Sequence, residues 1–152
     1  MNQTKPKTKK ASITKAPQTK IMVFGTFDMI HEGHRNLFAQ ARALAKNPKL
    51  IVSLARTKNV TRIKGRAPRS TEAARLARVK ALPEVDRAIL GAVRNYFTPI
   101  LRIQPDIIAL GYDQKAYVKT LRADLKKAGL TTKVVRLKPF QPEKYKTSLL
   151  RK

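Results

Sequence analysis

The stretch Gly25-Thr26-Phe27-Asp28-Met29-Ile30-His31-Glu32-Gly33-His34 separates a short apolar run, residues 21–24, from a segment, residues 34–45, whose apolar residues recur at helical spacing. This order predicts a buried strand, a tight loop and a helix. The loop begins with a glycine, and the N-terminus of a helix presents unpaired N–H groups that favour an anion. The two histidines, the only ones in the chain, are three residues apart and can face one ligand. The stretch therefore predicts a phosphate site.

Two other interpretations of the histidines stay open on spacing alone. They can be ordinary surface side chains near the start of a helix, or they can belong to a metal site. A zinc site needs further ligands, and the chain has no cysteine and no third histidine. Asp28 and Glu32 do not complete a familiar metal-ligand spacing, so zinc is the weakest of the three interpretations.

Strand-like and helix-like segments alternate along the rest of the chain. The further predicted strands are residues 50–54, 87–90, 107–110 and 133–137, and the further predicted helices are 71–82, 96–103 and 115–127, with a last helical turn from 147. This alternation predicts an α/β fold, a Rossmann-like parallel five-stranded sheet with helices on both faces. Ligands of such sheets bind at the carboxyl ends of the strands, which is where the histidines lie.

The charge of the chain is strongly positive, with 34 Lys and Arg against 9 Asp and Glu and a formal net charge of +25. Such a charge attracts nucleic acids and small phosphorylated molecules alike. Residues 1–19 have the composition of a disordered basic arm, and one folded domain is expected over residues 20–152. No apolar run is long enough to span a membrane, and with no cysteine present we expect a cytoplasmic protein.

The histidine stretch resembles the signature of the cytidylyltransferase-like nucleotidyltransferases, G-x-F-D-x-x-H-x-G-H. The matching positions are Gly25, Phe27, Asp28, His31, Gly33 and His34. Later segments resemble the family in the same order, a basic loop at Arg62–Arg66, the pair Val85-Asp86, the turn Gly111–Gln114 and the tail Lys146–Arg151. Within the family the chain looks most like archaeal-type FAD synthetases.

This resemblance implies transfer of a nucleotidyl group from a nucleoside triphosphate to a phosphorylated acceptor, with release of pyrophosphate. The implied reaction is ATP and FMN to FAD and pyrophosphate. An alternative is a CTP-dependent cytidylyltransferase acting on a phospho-alcohol such as glycerol 3-phosphate, although Pro83-Glu84 stands where those enzymes usually have R-Y. A second alternative, motivated by the charge and the arm, is a basic nucleic-acid-binding protein on this fold.

Roles of individual residues follow from the resemblance. His31 and His34 would stabilise charge on the α- and β-phosphates, and Lys64 would be a mobile-loop cation, with Lys58 and Arg66 as rivals. The residues expected to bind the nucleotide are Gly25, Thr26, Phe27, Asp28, Gly33, Arg75, Gly111, Asp113, Thr147 and Ser148. Mg²⁺ is expected with the triphosphate, held by phosphate oxygens and water, with no metal ligand from the protein.

Some of these roles keep two alternatives. Asp28 either fixes its loop through backbone N–H groups or touches substrate, and Arg75 either reaches the phosphates or pairs with a carboxylate. Thr147 and Ser148 either hold phosphates or only cap a helix. The aromatic side chains available to line a flavin site are Tyr112, Tyr117, Phe140 and Tyr145. Family members are often dimers, so a homodimer is expected, with non-specific nucleic-acid binding through the arm.

Overall fold

The computed structural model describes residues 17–115 and 118–140. In chain order the elements are β1 (Thr19–Gly25), α1 (Glu32–Arg42), β2 (Pro48–Leu54), α2 (Thr57–Lys64), α3 (Glu72–Lys80), β3 (Arg87–Leu90), α4 (Thr98–Ile103), β4 (Ile107–Leu110), α5 (Val118–Lys127) and β5 (Lys133–Arg136). The strands form one parallel sheet in the order β3-β2-β1-β4-β5. The predicted Rossmann-like sheet is therefore confirmed.

The helices cover both faces of the sheet. Successive residues of a strand point to opposite faces, and in the central strands both sets are largely apolar. In β1, Ile21 and Val23 face a core shared with Phe38 of α1 and Val79 of α3. Met22, between them, faces a second core with Ile100 and Ile103 of α4 and Leu121 and Leu125 of α5. Burial on both faces explains why β1 and β2 are continuous apolar runs instead of alternating ones.

The strand order reverses between β1 and β4, so this is the switch point of the sheet. The loop after β1 and the loop after β4 diverge there and leave a crevice at the carboxyl ends of the strands. The predicted phosphate site lies in the first of these loops. The fold therefore places it where open α/β sheets bind their ligands.

Helix α2 was not predicted from the sequence. Thr57, Asn59, Val60 and Thr61 all have low helix propensity, so local preference argues against a helix here. Tertiary contacts override it, since the carboxylate of Glu72 accepts the N–H of Thr57 at 2.9 Å in the first turn. Gly65 ends the helix in the left-handed conformation, with φ 81°.

Several predicted boundaries shift by one to three residues, and two of the shifts have identifiable reasons. β1 starts at Thr19, inside the predicted arm, because the N–H of Thr19 donates to the carbonyl of Asn47 at 2.8 Å. α1 starts at Glu32 and not at His34, because His31 caps it. The rest of the arm up to residue 16 and the predicted last turn from 147 lie outside the described residues. Within those residues, no helix has the length and apolarity needed to cross a membrane.

Candidate active site

The two histidines form the start of α1. His31 is the N-cap, and its Nδ1 accepts the backbone N–H of Gly33 at 3.1 Å. His34 returns the contact, since its Nδ1 accepts the backbone N–H of His31 at 3.3 Å. The two rings stack with centroids 3.9 Å apart and planes 24° apart. This reciprocal capping box holds both rings at the positive end of the helix dipole.

Both imidazoles are neutral at pH 7. Burial, together with the nearby charges of His31 and Lys64, lowers the pKa of His34 to about 3, against a smaller opposing effect of the Met29 carbonyl. Burial also lowers the pKa of His31. Because each Nδ1 accepts a backbone hydrogen bond, the ring proton of each histidine lies on Nε2. Neutral N–H donors of this kind suit a phosphoryl oxygen, and in this structure a ring N–H of His34 is hydrogen-bonded to the carbonyl of Met29.

The lowered pKa of His34 predicts a pH-dependent stability. In the unfolded chain the imidazole of His34 has its ordinary pKa of about 6.5, whereas in the folded chain its pKa is about 3. Protonation therefore favours the unfolded chain, so the free energy of unfolding is greatest above pH 6.5 and falls as the pH drops from 6.5 towards 3. The slope is at most about 1.4 kcal/mol per pH unit for one proton. Urea unfolding near pH 7 and near pH 5 should show a smaller loss for His34→Gln than for wild type. Equal losses would contradict the assignment.

Gly25 and Phe27 determine the packing beneath the ring of His34. Phe27 has a positive φ of 53° and is 5% exposed, with its ring turned back over Gly25. A Cβ on residue 25 would lie 2.6 Å from the Cζ of Phe27, so only glycine fits. The Phe27 ring meets that of His34 edge-on at 5.2 Å and that of Phe38 at 5.4 Å. Both signature residues therefore position His34 by packing.

Lys64 reaches the same loop from the last residue of α2. Its Nζ lies 3.4 Å from the Oγ1 of Thr26. At Lys64 the structure has the last turn of a helix where a mobile loop was predicted. The helix fixes the backbone from which the lysine side chain extends. All three cations are exposed, but only Lys64 lines the cleft described below, and the rivals Lys58 and Arg66 do not.

Asp28 ties the phosphate loop to the segment before α3. Its Oδ2 accepts the backbone N–H of Arg69 at 2.7 Å, and its Oδ1 accepts that of Ser70 at 2.9 Å. The side chain is 7% exposed. These bonds fix a loop more than forty residues away and do not form a local turn. Asp28 also lines the cleft described below, so its contact with substrate stays a prediction.

Arg75 is fully buried and does not line the cleft. One terminal nitrogen donates to the carbonyl of Thr26 at 3.0 Å and to that of Ala55 at 2.8 Å, and the other donates to the hydroxyl of Thr57 at 3.1 Å. The guanidinium thus joins the ends of β1 and β2 to the start of α2. In this structure Arg75 therefore binds protein carbonyls and a hydroxyl near the carboxylates of Glu72 and Asp28, and its predicted contact with phosphates stays a prediction.

The turn after β4 forms the opposite wall. The N–H of Gly111 donates to the side-chain oxygen of Gln114 at 3.2 Å, and Arg136 of β5 donates to the carbonyls of both residues, at 2.8 and 2.6 Å. Asp113, an exposed residue of this turn, lines the cleft together with Gly111. The structure thus brings both predicted residues of the turn to the site and shows that Arg136, which was not predicted, fixes their backbone.

A cleft of about 500 Å³ connects these groups. It runs from His34, Thr26 and Lys64 along the ends of β2 and β3 on one side and along the end of β4 on the other. Its apolar part lies between α4 and α5 and contains Tyr96, Pro99, Ile100, Val118 and Leu121. The cleft thus has a central phosphate site with one wing on each side, one over the ends of β2 and β3 and the other at the end of β4. This arrangement suits two substrates that react through phosphates.

The aromatic lining differs from the prediction. Tyr112 and Phe140 are 36% and 37% exposed and lie outside the cleft, whereas Tyr96 lines it. The hydroxyl of Tyr96 donates to the carboxylate of Asp124, and burial followed by this hydrogen bond raises the pKa of Tyr96 to about 12. Tyr117 and Tyr145, like Thr147 and Ser148, lie outside the described residues.

Arg56 is the main site residue that the sequence reasoning missed. It lies in the short segment between β2 and α2 and lines the cleft. Its Nε donates to Glu72 at 3.0 Å, and one terminal nitrogen donates to the carbonyl of Gly91 at 3.3 Å. The rule that ligands bind after each strand would have found it, since Arg56 stands two residues beyond β2.

The described residues contain no group of three or more His, Cys, Asp or Glu side chains able to hold a metal ion. The buried carboxylate in the phosphate loop, Asp28, already accepts a backbone N–H on each oxygen.

Comparison with known proteins identifies relatives along nearly the whole chain. The family model described as cytidylyltransferase-like matches residues 22–152. The FAD synthase of Korarchaeum cryptofilum is 45% identical over 122 residues, covering 80% of this chain and 82% of its own. The FAD synthase of Archaeoglobus profundus is 45% identical over 129 residues, covering 85% and 81%.

Solved structures support the same fold. The crystal structure of a lipopolysaccharide core biosynthesis protein from Thermoplasma volcanium superposes with a TM-score of 0.74 at 36% identity, covering 81% of this chain and 98% of that one. Pantoate-beta-alanine ligase from Francisella tularensis superposes with a TM-score of 0.54 at 16% identity, covering 82% and 61%. The second likeness concerns the fold alone.

Proposed function

The chain belongs to the cytidylyltransferase-like family, and from this premise we propose that it is an FMN adenylyltransferase, which converts ATP and FMN to FAD and pyrophosphate. The FAD synthases of similar sequence support this choice of substrates. We further propose that residues 20–152 form the catalytic domain and that the basic arm lies outside it.

One observation carries the proposal. A stacked pair of neutral histidines stands at the N-terminus of α1, and His34 of this pair lines the middle of a cleft with two wings, with Thr26 and Lys64 beside it. Neutral N–H donors, a lysine and a helix N-terminus together stabilise negative charge that develops on phosphoryl oxygens. Two wings allow the nucleotide and the acceptor to meet at that point.

In the reaction an oxygen of the FMN phosphate attacks the α-phosphorus of ATP, a P–O bond forms, and the bond between the α-phosphorus and the bridging oxygen breaks to release pyrophosphate. The attacking phosphate is already anionic at pH 7, so no residue has to remove a proton. The protein orients the two phosphates in line and stabilises the charge that builds on them. His31, His34 and Lys64 are the residues we propose for this role.

Mg²⁺ enters with ATP as part of the substrate. Its proposed ligands are phosphate oxygens and water, since the carboxylate of Asp28 already accepts the N–H groups of Arg69 and Ser70. We propose that the nucleotide occupies the wing at the switch point, along Gly111 and Asp113, while Thr26 and the backbone around it contact the phosphates. Thr147 and Ser148 remain proposed phosphate ligands.

The test is a pyrophosphate-release assay with purified protein and Mg²⁺. ATP and CTP are each combined with FMN, glycerol 3-phosphate and phosphocholine. We expect turnover with ATP and FMN alone, and FAD as the product by chromatography. Turnover confined to CTP with a phospho-alcohol would overturn the substrate assignment but retain the mechanism. No turnover in any pair, with tight salt-sensitive RNA binding, would favour a binding protein instead.

A further inference from the structure

Helix α2 presents one complete face to the cleft. The cleft is lined by Arg56, Asn59, Val60, Ile63 and Lys64, which recur at the three- and four-residue spacing of a single helical face. The intervening residues of the helix point elsewhere. Helix α2 therefore forms the wall of the cleft beside the carboxyl ends of β2 and β3. A ligand bound in this wing would contact this face of α2.

Ile63 is unusual on that face because it is both apolar and open. It is 50% exposed, the highest exposure among the large exposed hydrophobic residues of the described chain. The others are Leu101, Tyr112 and Phe140, and none of them lines the cleft. An exposed isoleucine inside a cleft, on a chain of net charge +25, offers a surface for an apolar part of a ligand.

The polar groups on the same face are engaged by the protein. The amide of Asn59 donates to the carbonyl of Ala92 at 2.9 Å, and its oxygen accepts from Arg62 at 3.1 Å. Arg56 is held by Glu72 and by the carbonyl of Gly91. What this face offers an incoming molecule beyond the lysine at its end is therefore mainly apolar surface.

The sheet topology decides which substrate meets α2. Nucleotides in open parallel sheets bind at the switch point, here between β1 and β4, which leaves the wing over β2 and β3 to the acceptor. Lys64 marks the phosphate end of this wing, and Ile63 is its neighbour on the helix. A five-carbon ribityl chain separates the phosphate of FMN from its flat, largely apolar ring system.

We propose that Ile63 is a specificity-determining residue that packs against the isoalloxazine ring of the acceptor, with α2 as the wall that recognises it. This inference rests on the proposed function and extends it to a residue outside the phosphate site. Ile63 contacts a part of the acceptor remote from the reacting atoms. Its removal therefore weakens acceptor binding and leaves the chemical step and the nucleotide site unchanged.

The experiment compares Ile63→Ala with Leu101→Ala, a matched control at another half-exposed aliphatic residue of a helix, and with Ile63→Leu. For Ile63→Ala we expect about a tenfold rise in KM for FMN, with KM for ATP and kcat within about twofold of wild type. Quenching of FMN fluorescence without ATP should show the same weakening. Leu101→Ala should match wild type, and Ile63→Leu should restore most of the affinity.

An unchanged KM for FMN in Ile63→Ala, or an equal rise in KM for ATP, would overturn this proposal while leaving FMN adenylyltransfer intact. Wild-type protein that neither binds nor turns over FMN would overturn the proposed function and this proposal together. The wild-type measurement therefore separates the two failures. Because Ile63 is half exposed, its truncation should leave the melting temperature near that of wild type.

Discussion

Replacing His31 with asparagine should lower kcat for FAD formation by about 10² to 10³ while leaving the protein folded. Asparagine is among the best N-cap residues, so its side-chain oxygen can take over the hydrogen bond that Nδ1 of His31 accepts from Gly33. It is too short to place a donor where Nε2 lies. One imidazole both caps α1 and stabilises the phosphates. The substitution to asparagine separates these two roles.

His31→Ala provides the comparison, because it removes the cap as well. It should lose the same factor in kcat and, in addition, about 1 kcal/mol of unfolding free energy. Steady-state kinetics with ATP and FMN and urea unfolding measure the two effects on the same samples. A kcat for His31→Asn within threefold of wild type would remove His31 from the chemistry and leave it as a helix cap.

The fold was accessible from sequence because its strands are buried on both faces. Runs such as residues 50–54 are apolar at every position except Ser53, and the segments between them have helical spacing. Helix α2 was missed because its stability comes from Glu72, a residue fifteen positions beyond Thr57, and not from its own sequence. Local propensity cannot report a contact that exists only after α3 has docked.

The site divides along the same line. The family signature predicts that His31 and His34 meet after β1, and the structure brings their rings together there, with Thr26 and the Lys64 ammonium group nearby. The sequence could not predict that Asp28 and Arg75 form hydrogen bonds within the protein, because their partners are backbone groups of distant segments. Backbone partners leave no trace in side-chain identity, so a polar residue that binds them resembles a ligand-binding residue in sequence.

Arg75 provides the largest expected effect on stability. Arg75→Met keeps much of the side-chain volume but leaves the carbonyls of Thr26 and Ala55 and the hydroxyl of Thr57 without their donor in a buried place. It also removes a positive charge that lies near the carboxylates of Glu72 and Asp28. We expect a loss of about 3 to 5 kcal/mol in unfolding free energy, measured by urea denaturation.

Arg78→Met is the matched control, one turn along the same helix. Arg78 also donates to a carbonyl and a hydroxyl, those of Asp28 and Ser70, each at 2.7 Å, but it is exposed, so water can replace it at a cost of about 1 kcal/mol or less. If the two variants lose equal stability, burial is not what makes Arg75 important. If Arg75→Met alone is strongly destabilised, the arginine acts by joining the strand ends that carry Thr26 and α2, and the position of the phosphate site depends on a buried residue outside the cleft.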